Sequence, residues 1–243
     1  MSNHQILSPA DHTALRVHTE AGAAYGDNVM ACLAMPAEFR EVQAHFPIVF
    51  RRDAETGKLA ALALFGFEAG ENLFLKGDMW DARYRPMALA VQPFLIGRPP
   101  SGPGAEDAAP QVHVDMEHPR ISATGEGMRV FDDASTPTPY LEAIATRLGD
   151  LDYSWQQATS FFAALETYEL IEPFSLEVTL DSGAVQSLVG FQTIHEDKLA
   201  ALDGEALRAL MEAGHLARIY MVLASLAQFG GLVARKNARI AHG

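Results

Sequence analysis

Apolar and polar positions alternate most clearly late in the chain. Phe174, Leu176, Val178 and Leu180 lie on one face, Asp181-Ser182-Gly183 supplies a turn, and Val185, Val189 and Phe191 carry the alternation back. That pattern predicts a β-hairpin. A second hairpin is predicted earlier, where apolar runs at 48–52 and 59–67 flank Asp53-Ala54-Glu55-Thr56-Gly57. Shorter strands are predicted at 29–35, as a sheet edge, and at 72–75, 87–96 and 112–116. Pro93 interrupts the third of these and assigns it to an edge or a bend. Residues 98–110, rich in Pro, Gly, Ala and acids, read as an exposed loop.

Elsewhere the period becomes helical. A short helix is predicted at 37–44, stopped by Pro47. Thr138-Pro139 reads as an N-cap with proline at the first helical position, and Leu141, Ile144 and Leu148 mark one face until Gly149. Ser154 and Gln157 form a capping-box pattern that predicts a separate helix with Ala158, Phe161, Phe162, Leu165 and Tyr168 as its stripe. Residues 205–213 and, after Gly214, a longer stretch bearing Leu216, Ile219, Tyr220, Leu223 and Leu226 complete the helices. Without βαβ alternation the class is α+β, with a strand-rich N-terminal two-thirds, helices, one late hairpin and a single domain. Weak periodicity makes residues 1–28 a loosely packed arm. The domain spans 29–234, and 235–243 form a basic tail with Arg235, Lys236 and Arg239.

Composition narrows the partners. The 243 residues are 49% hydrophobic and 20% charged, enough for a sizeable core, and the net charge of −13 disfavours nucleic acid and anionic membranes. One cysteine, Cys32, excludes an internal disulfide framework and fits a reducing compartment. The polar stretch 1–20 does not resemble an export signal, so the expected location is the cytoplasm. Leu216 to Val233 approaches membrane-span length, but Arg218, Gln228 and two glycines make it read as a buried amphipathic helix. No transmembrane segment is therefore expected.

Two constellations carry candidate chemistry. Asn72, Trp80, Asp81, Tyr84 and Arg85 set amides and charges beside aromatic rings, which suits a pocket recognising a peptide or a sugar. The same residues also suit a packed turn between strands. His113-Val114-Asp115 places two ligand-type side chains on one face of a strand. With His195 these form the residue set of the facial triad of Fe(II) and 2-oxoglutarate-dependent oxygenases. No arginine follows His195 on its strand to hold the cosubstrate. Glycine-rich phosphate loops and nucleophile elbows are absent.

Order and spacing then identify a family. The blocks are His45-Phe46-Pro47-Ile48-Val49-Phe50, Gly66 with Asn72-Leu73-Phe74, Trp80 to Tyr84 with Pro86, Pro93-Phe94, Val114-Asp115, Gly127 to Phe131, Phe162 to Leu170 with Pro173, Gly183, Gly190-Phe191 and Tyr220 to Leu226. Over 29–232 the chain resembles the bacterial SapC family. Where that family shows a basic residue before its Tyr-Pro-Phe element, this chain has Val91-Gln92-Pro93-Phe94. The resemblance implies surface-layer, envelope or peptide-transport association and brings no catalytic residues with it. The expectation is a non-enzymatic accessory or binding protein without a cofactor, serving a protein or peptide partner. The alternative is the iron oxygenase built on His113, Asp115 and His195.

Overall fold

Antiparallel pairing organises the strands seen in a computed structural model, which describes residues 3–97 and 110–242. In chain order the elements begin with β1 (His4–Ile6), α1 (Pro9–His12), β2 (Arg16–Val17) and β3 (Ala31–Leu33). A 3₁₀ turn at Pro36–Glu38 leads into α2 (Phe39–Val42), then β4 (Ile48–Arg52), β5 (Leu59–Leu64), β6 (Leu75–Lys76) and β7 (Met79–Trp80). After them come α3 (Met87–Ala90), β8 (Phe94–Gly97), β9 (Gln111–Asp115), β10 (Met128–Arg129) and α4 (Pro139–Thr167). The chain closes with β11 (Ile171–Thr179), β12 (Val185–Ile194), α5 (Glu196–Ala200), α6 (Gly204–Glu212), α7 (His215–Ser225) and α8 (Gln228–His242). The α+β class is as the sequence pattern predicts. The 98–110 loop lies, but for Pro110, outside the described residues.

Both predicted hairpins form, and they join edge to edge. The larger sheet runs β11-β12-β4-β5-β3, with β12 meeting β4 at Gln192 and Phe50. Ile48, Val49 and Phe50 are fully buried, as expected of a central strand covered on both sides. Phe50 meets Phe162 of α4 edge-on at 6.3 Å, while the Ile48 N–H donates to Ser225 Oγ of α7 at 2.8 Å. Phe46, Phe65, Phe74 and Trp80 form a ring cluster beneath this sheet, their centroids 4.7–6.2 Å apart.

A smaller sheet, β1-β9-β8, and the ribbon β2-β10 enclose a second core of Leu15, Val17, Val91, Phe94, Val114, Val130, Phe131, Leu141, Ile144 and Leu148. Residues 4–28 are therefore not a loose arm. His4–Ile6 pair with His113–Asp115, Val17 is fully buried, and so is Asp27. Their strands are too short to show a period, which is why the pattern looked weak.

Helix α4 differs from its sequence reading. Thr138 caps it as predicted, accepting from the Leu141 N–H, but the helix passes through Gly149 and Ser154 and continues to Thr167. One interior glycine costs only about 1 kcal/mol relative to alanine. Buried Leu141, Ile144 and Leu148 on one side, and Ala158, Phe161 and Leu165 on the other, outweigh that penalty. Residues 87–90 are helical and not extended, because Pro86 sits at the N-cap and starts the turn.

The C-terminal segment is not a tail either. Gly214, in the left-handed region at φ 70°, separates α6 from α7, and α8 then runs to His242. Arg235 donates to Asp81 Oδ2 at 2.6 Å and lies over the Phe74 ring at 4.3 Å. Lys236 reaches Glu68 and Glu71 at 3.0 and 2.7 Å, and Arg239 donates to the Asn72 and Leu75 carbonyls. The basic residues thus clamp the loop that carries β6 and β7. Among the described residues, His215–Ala241 is the helical stretch long and apolar enough to cross a membrane, and 22% of its most apolar window is buried. Ile219, Val222 and Leu232 within it face the large core.

Candidate functional site

The seam between the two cores is built on a buried charge. Asp27 follows a tight 3₁₀ turn at Ala23–Tyr25, and its carboxylate is fully buried. Arg120, 2% exposed, donates from Nη2 to both Asp27 oxygens at 2.7 Å, and from Nη1 to the His18 and Glu20 carbonyls at 2.8 Å. Arg85 adds a third guanidinium contact at 2.7 Å, and the Gly22 N–H a further bond at 3.0 Å. Asn72 holds the backbone of the same residue, Nδ2 donating to the Asp27 carbonyl at 2.8 Å.

Two guanidinium charges against one carboxylate leave one positive charge unbalanced. Both arginines line a cavity of about 380 Å³, and Arg147 of α4 enters the same wall as a second unbalanced charge. Among the described residues Arg147 has no acidic partner. His18, Tyr84, Gln92 and Tyr140 supply further polar groups, and Met87 and Ile144 apolar surface. The Nε–H groups of Arg85 and Arg120 are buried without an acceptor among the described residues. Each such orphan costs about 1–3 kcal/mol. The cation excess on this wall describes a site suited to an anion.

Glu38 stands behind the wall, buried. It accepts from the Tyr84 hydroxyl at 2.6 Å and from the Met87 and Met35 N–H groups at 2.9 Å. Burial, above all, raises its carboxyl above the ordinary value, against those three hydrogen bonds. Tyr84 is held protonated by its own burial and then by its bond to Glu38.

The predicted recognition cluster is divided by the fold. Tyr84 and Arg85 line the cavity, whereas Asn72, Trp80 and Asp81 do not. Asn72 is fully buried, and its Oδ1 accepts from the Phe74 N–H. Trp80 is packed among Phe46, Phe65 and Phe74, with Nε1 donating to the Tyr84 carbonyl at 2.7 Å. Asp81 pairs with Lys76 and Arg235, which hold its carboxyl below its usual range. These three residues support the loop that presents Arg85. Asp27, Arg120 and Arg147 escaped sequence reasoning because they lie far apart in the chain and in no motif.

His113, Asp115 and His195 are not brought together. His113 and Asp115 sit on β9 of the small sheet, and the His113 ring lies against Gly97 so closely that a Cβ there would be 2.1 Å from Nε2. Asp115 accepts from the Asn3 and Glu117 N–H groups. His195 lies beyond β12 of the large sheet, capping α5 and 3.7 Å from Glu172. Among the described residues no group of three His, Cys, Asp or Glu is arranged to hold a metal ion.

The SapC family model matches residues 7–232. The chain belongs to the SapC family. The match starts well before position 29, so the segment carrying β2 and Asp27 is part of the SapC unit. No curated protein and no solved structure matches the chain.

Proposed function

We propose that this SapC protein is a non-enzymatic accessory or binding protein that takes an anionic group of a protein or peptide partner into the Arg85–Arg120–Arg147 cavity. The observation that carries the reading is the unbalanced cation charge on one cavity wall, where Arg85, Arg120 and Arg147 are set against one buried carboxylate. In a chain of net charge −13 such a local cluster opposes the overall field. It therefore selects an anion by contact and not by long-range steering. The setting we assign is the surface-layer or envelope association implied by the family, with the protein acting from the cytoplasm. The lone cysteine is compatible with that compartment. Separation of His113, Asp115 and His195 gives the oxygenase alternative no support in the geometry.

Thermal melting with inorganic phosphate, acetate and chloride at matched ionic strength tests the site. Phosphate or acetate should raise the melting temperature of the native chain and leave Arg147→Ala unmoved. Equal responses from chloride, or from the variant, would remove the proposal.

A further inference from the structure

Helix α4 walls two cavities in succession. Tyr140, Ile144 and Arg147 face the arginine-lined one, and Leu148, Leu151, Asp152 and Trp155 face a second of about 400 Å³. Gln92 lines both, tied to His118 by a 3.2 Å hydrogen bond. The second cavity is floored by Val91, Phe94 and Ile96. At its rim Trp155 is 54% exposed and offers a large apolar ring to a ligand.

The geometry points to a two-point site for one extended peptide, with an acidic side chain in the arginine cavity and an apolar or aromatic side chain against Trp155. This rests on the anion site proposed above and specifies its ligand. The spacing follows from the helix. The two groups of α4 residues are offset by about eight positions, or about 12 Å at 1.5 Å per residue. An extended chain advances about 3.3 Å per residue, so the two anchors should lie about three or four positions apart. Polar groups argue for a peptide over an alkyl chain. Gln92, whose Oε1 meets His118 while its amide N–H group takes no partner among the described residues, and His4, half exposed at the rim, suit main-chain groups of a peptide, whereas an acyl tail would leave the Gln92 amide desolvated.

Calorimetric titration of the full chain with two blocked peptides, Ac-Asp-Ala-Ala-Phe-NH2 and Ac-Asp-Ala-Ala-Ala-Phe-NH2, tests the inference. Controls replace Asp by Asn, or Phe by Ser. At least one spacing should bind about tenfold more tightly than each of its controls. Arg147→Ala should erase the preference for Asp while keeping that for Phe, and Trp155→Ala should do the reverse. Both side chains are exposed on α4, so the variants should keep the native circular dichroism. Peptides no tighter than their controls, with phosphate still binding in an Arg147-dependent manner, would overturn the two-point site and leave the anion site standing. Loss of phosphate binding as well would overturn both. Dodecanoate binding more tightly than either peptide would overturn the choice of a peptide.

Discussion

The two cores are stabilised by different means. Under the large sheet, the contacts are rings and branched chains: Phe46, Phe65, Phe74 and Trp80 interlock, Phe161 meets Phe39, and the centre of β4 is dry. The smaller core is completed along its seam by Asp27 and Arg120, whose charges are out of solvent, and by Arg85, whose side chain is 21% exposed. A buried ion pair gives little net stability over an apolar replacement, but breaking one is costly. Placing such a network beside a cavity therefore makes sense as preorganisation of cations for a ligand. The large core holds the fold, and the seam holds the proposed site.

The largest effect should come from unbalancing the seam. Arg120→Met leaves Asp27 buried with one guanidinium in place of two and strips donors from the His18 and Glu20 carbonyls. We expect a loss of about 3–5 kcal/mol, read by chemical denaturation. If the loss is under about 1 kcal/mol, the seam is wetter than its burial implies and the comparison fails.

Trp80→Ala tests the other core. The ring contacts three phenylalanines, so removing it should cost about 3 kcal/mol. Trp80 does not line the cavity but supports the loop that presents Arg85, so phosphate binding to the fraction that remains folded should weaken while still depending on Arg147. A melting temperature near that of the native chain would return Trp80 to the surface role its sequence context also allowed.

Legibility in the sequence followed the same division. Hairpins β4-β5 and β11-β12 showed plainly, the first as two apolar runs flanking a turn and the second as alternation along both strands, because each is a local signal. So did the Thr138 cap and the Gly214 break. The small lobe was obscure because β1, β2 and β10 are two or three residues long and pair across more than a hundred positions. Tyr84 and Arg85 were visible as candidates through their aromatic surroundings. Asp27, Arg120 and Arg147 were not, since a buried ion pair between distant residues leaves no periodic trace. Gly149 misled for a related reason: local propensity marks a stop, and tertiary burial on both sides overrides it.

Glu38, where the large core meets the seam, gives a pH dependence of definite sign. Its carboxyl is raised from the ordinary 4.5, chiefly by burial. A carboxyl raised in the folded state contributes stability that is complete below the unfolded value and is lost as pH rises through the folded one. Stability of the native chain should therefore decline on going upward from about pH 4.5. Glu38→Gln, which cannot ionise, should show a shallower decline in parallel denaturation curves. Carboxylates held low by partners, such as Glu68 and Asp81, act with the opposite sign and only below that window. A steeper decline in the variant would mean that Glu38 is ionised and satisfied in the fold, against the burial that raises it.

The smallest change addresses the joint between the regions. Gly149 lies on α4 between Leu148, which belongs to the small core, and Phe161 and Leu165, which belong to the large one. A Cβ at this position would meet nothing within 4 Å. On propensity alone, Gly149→Ala should add about 0.5–1 kcal/mol. If α4 is a rigid spine, phosphate affinity should stay the same, because Arg147 is already held in place. If the glycine instead lets one half of α4 bend relative to the other, the alanine would stabilise the chain and shift phosphate affinity at the same time. The two measurements on one variant thus separate a spine from a hinge, and decide whether the dry core merely supports the charged seam or moves with it.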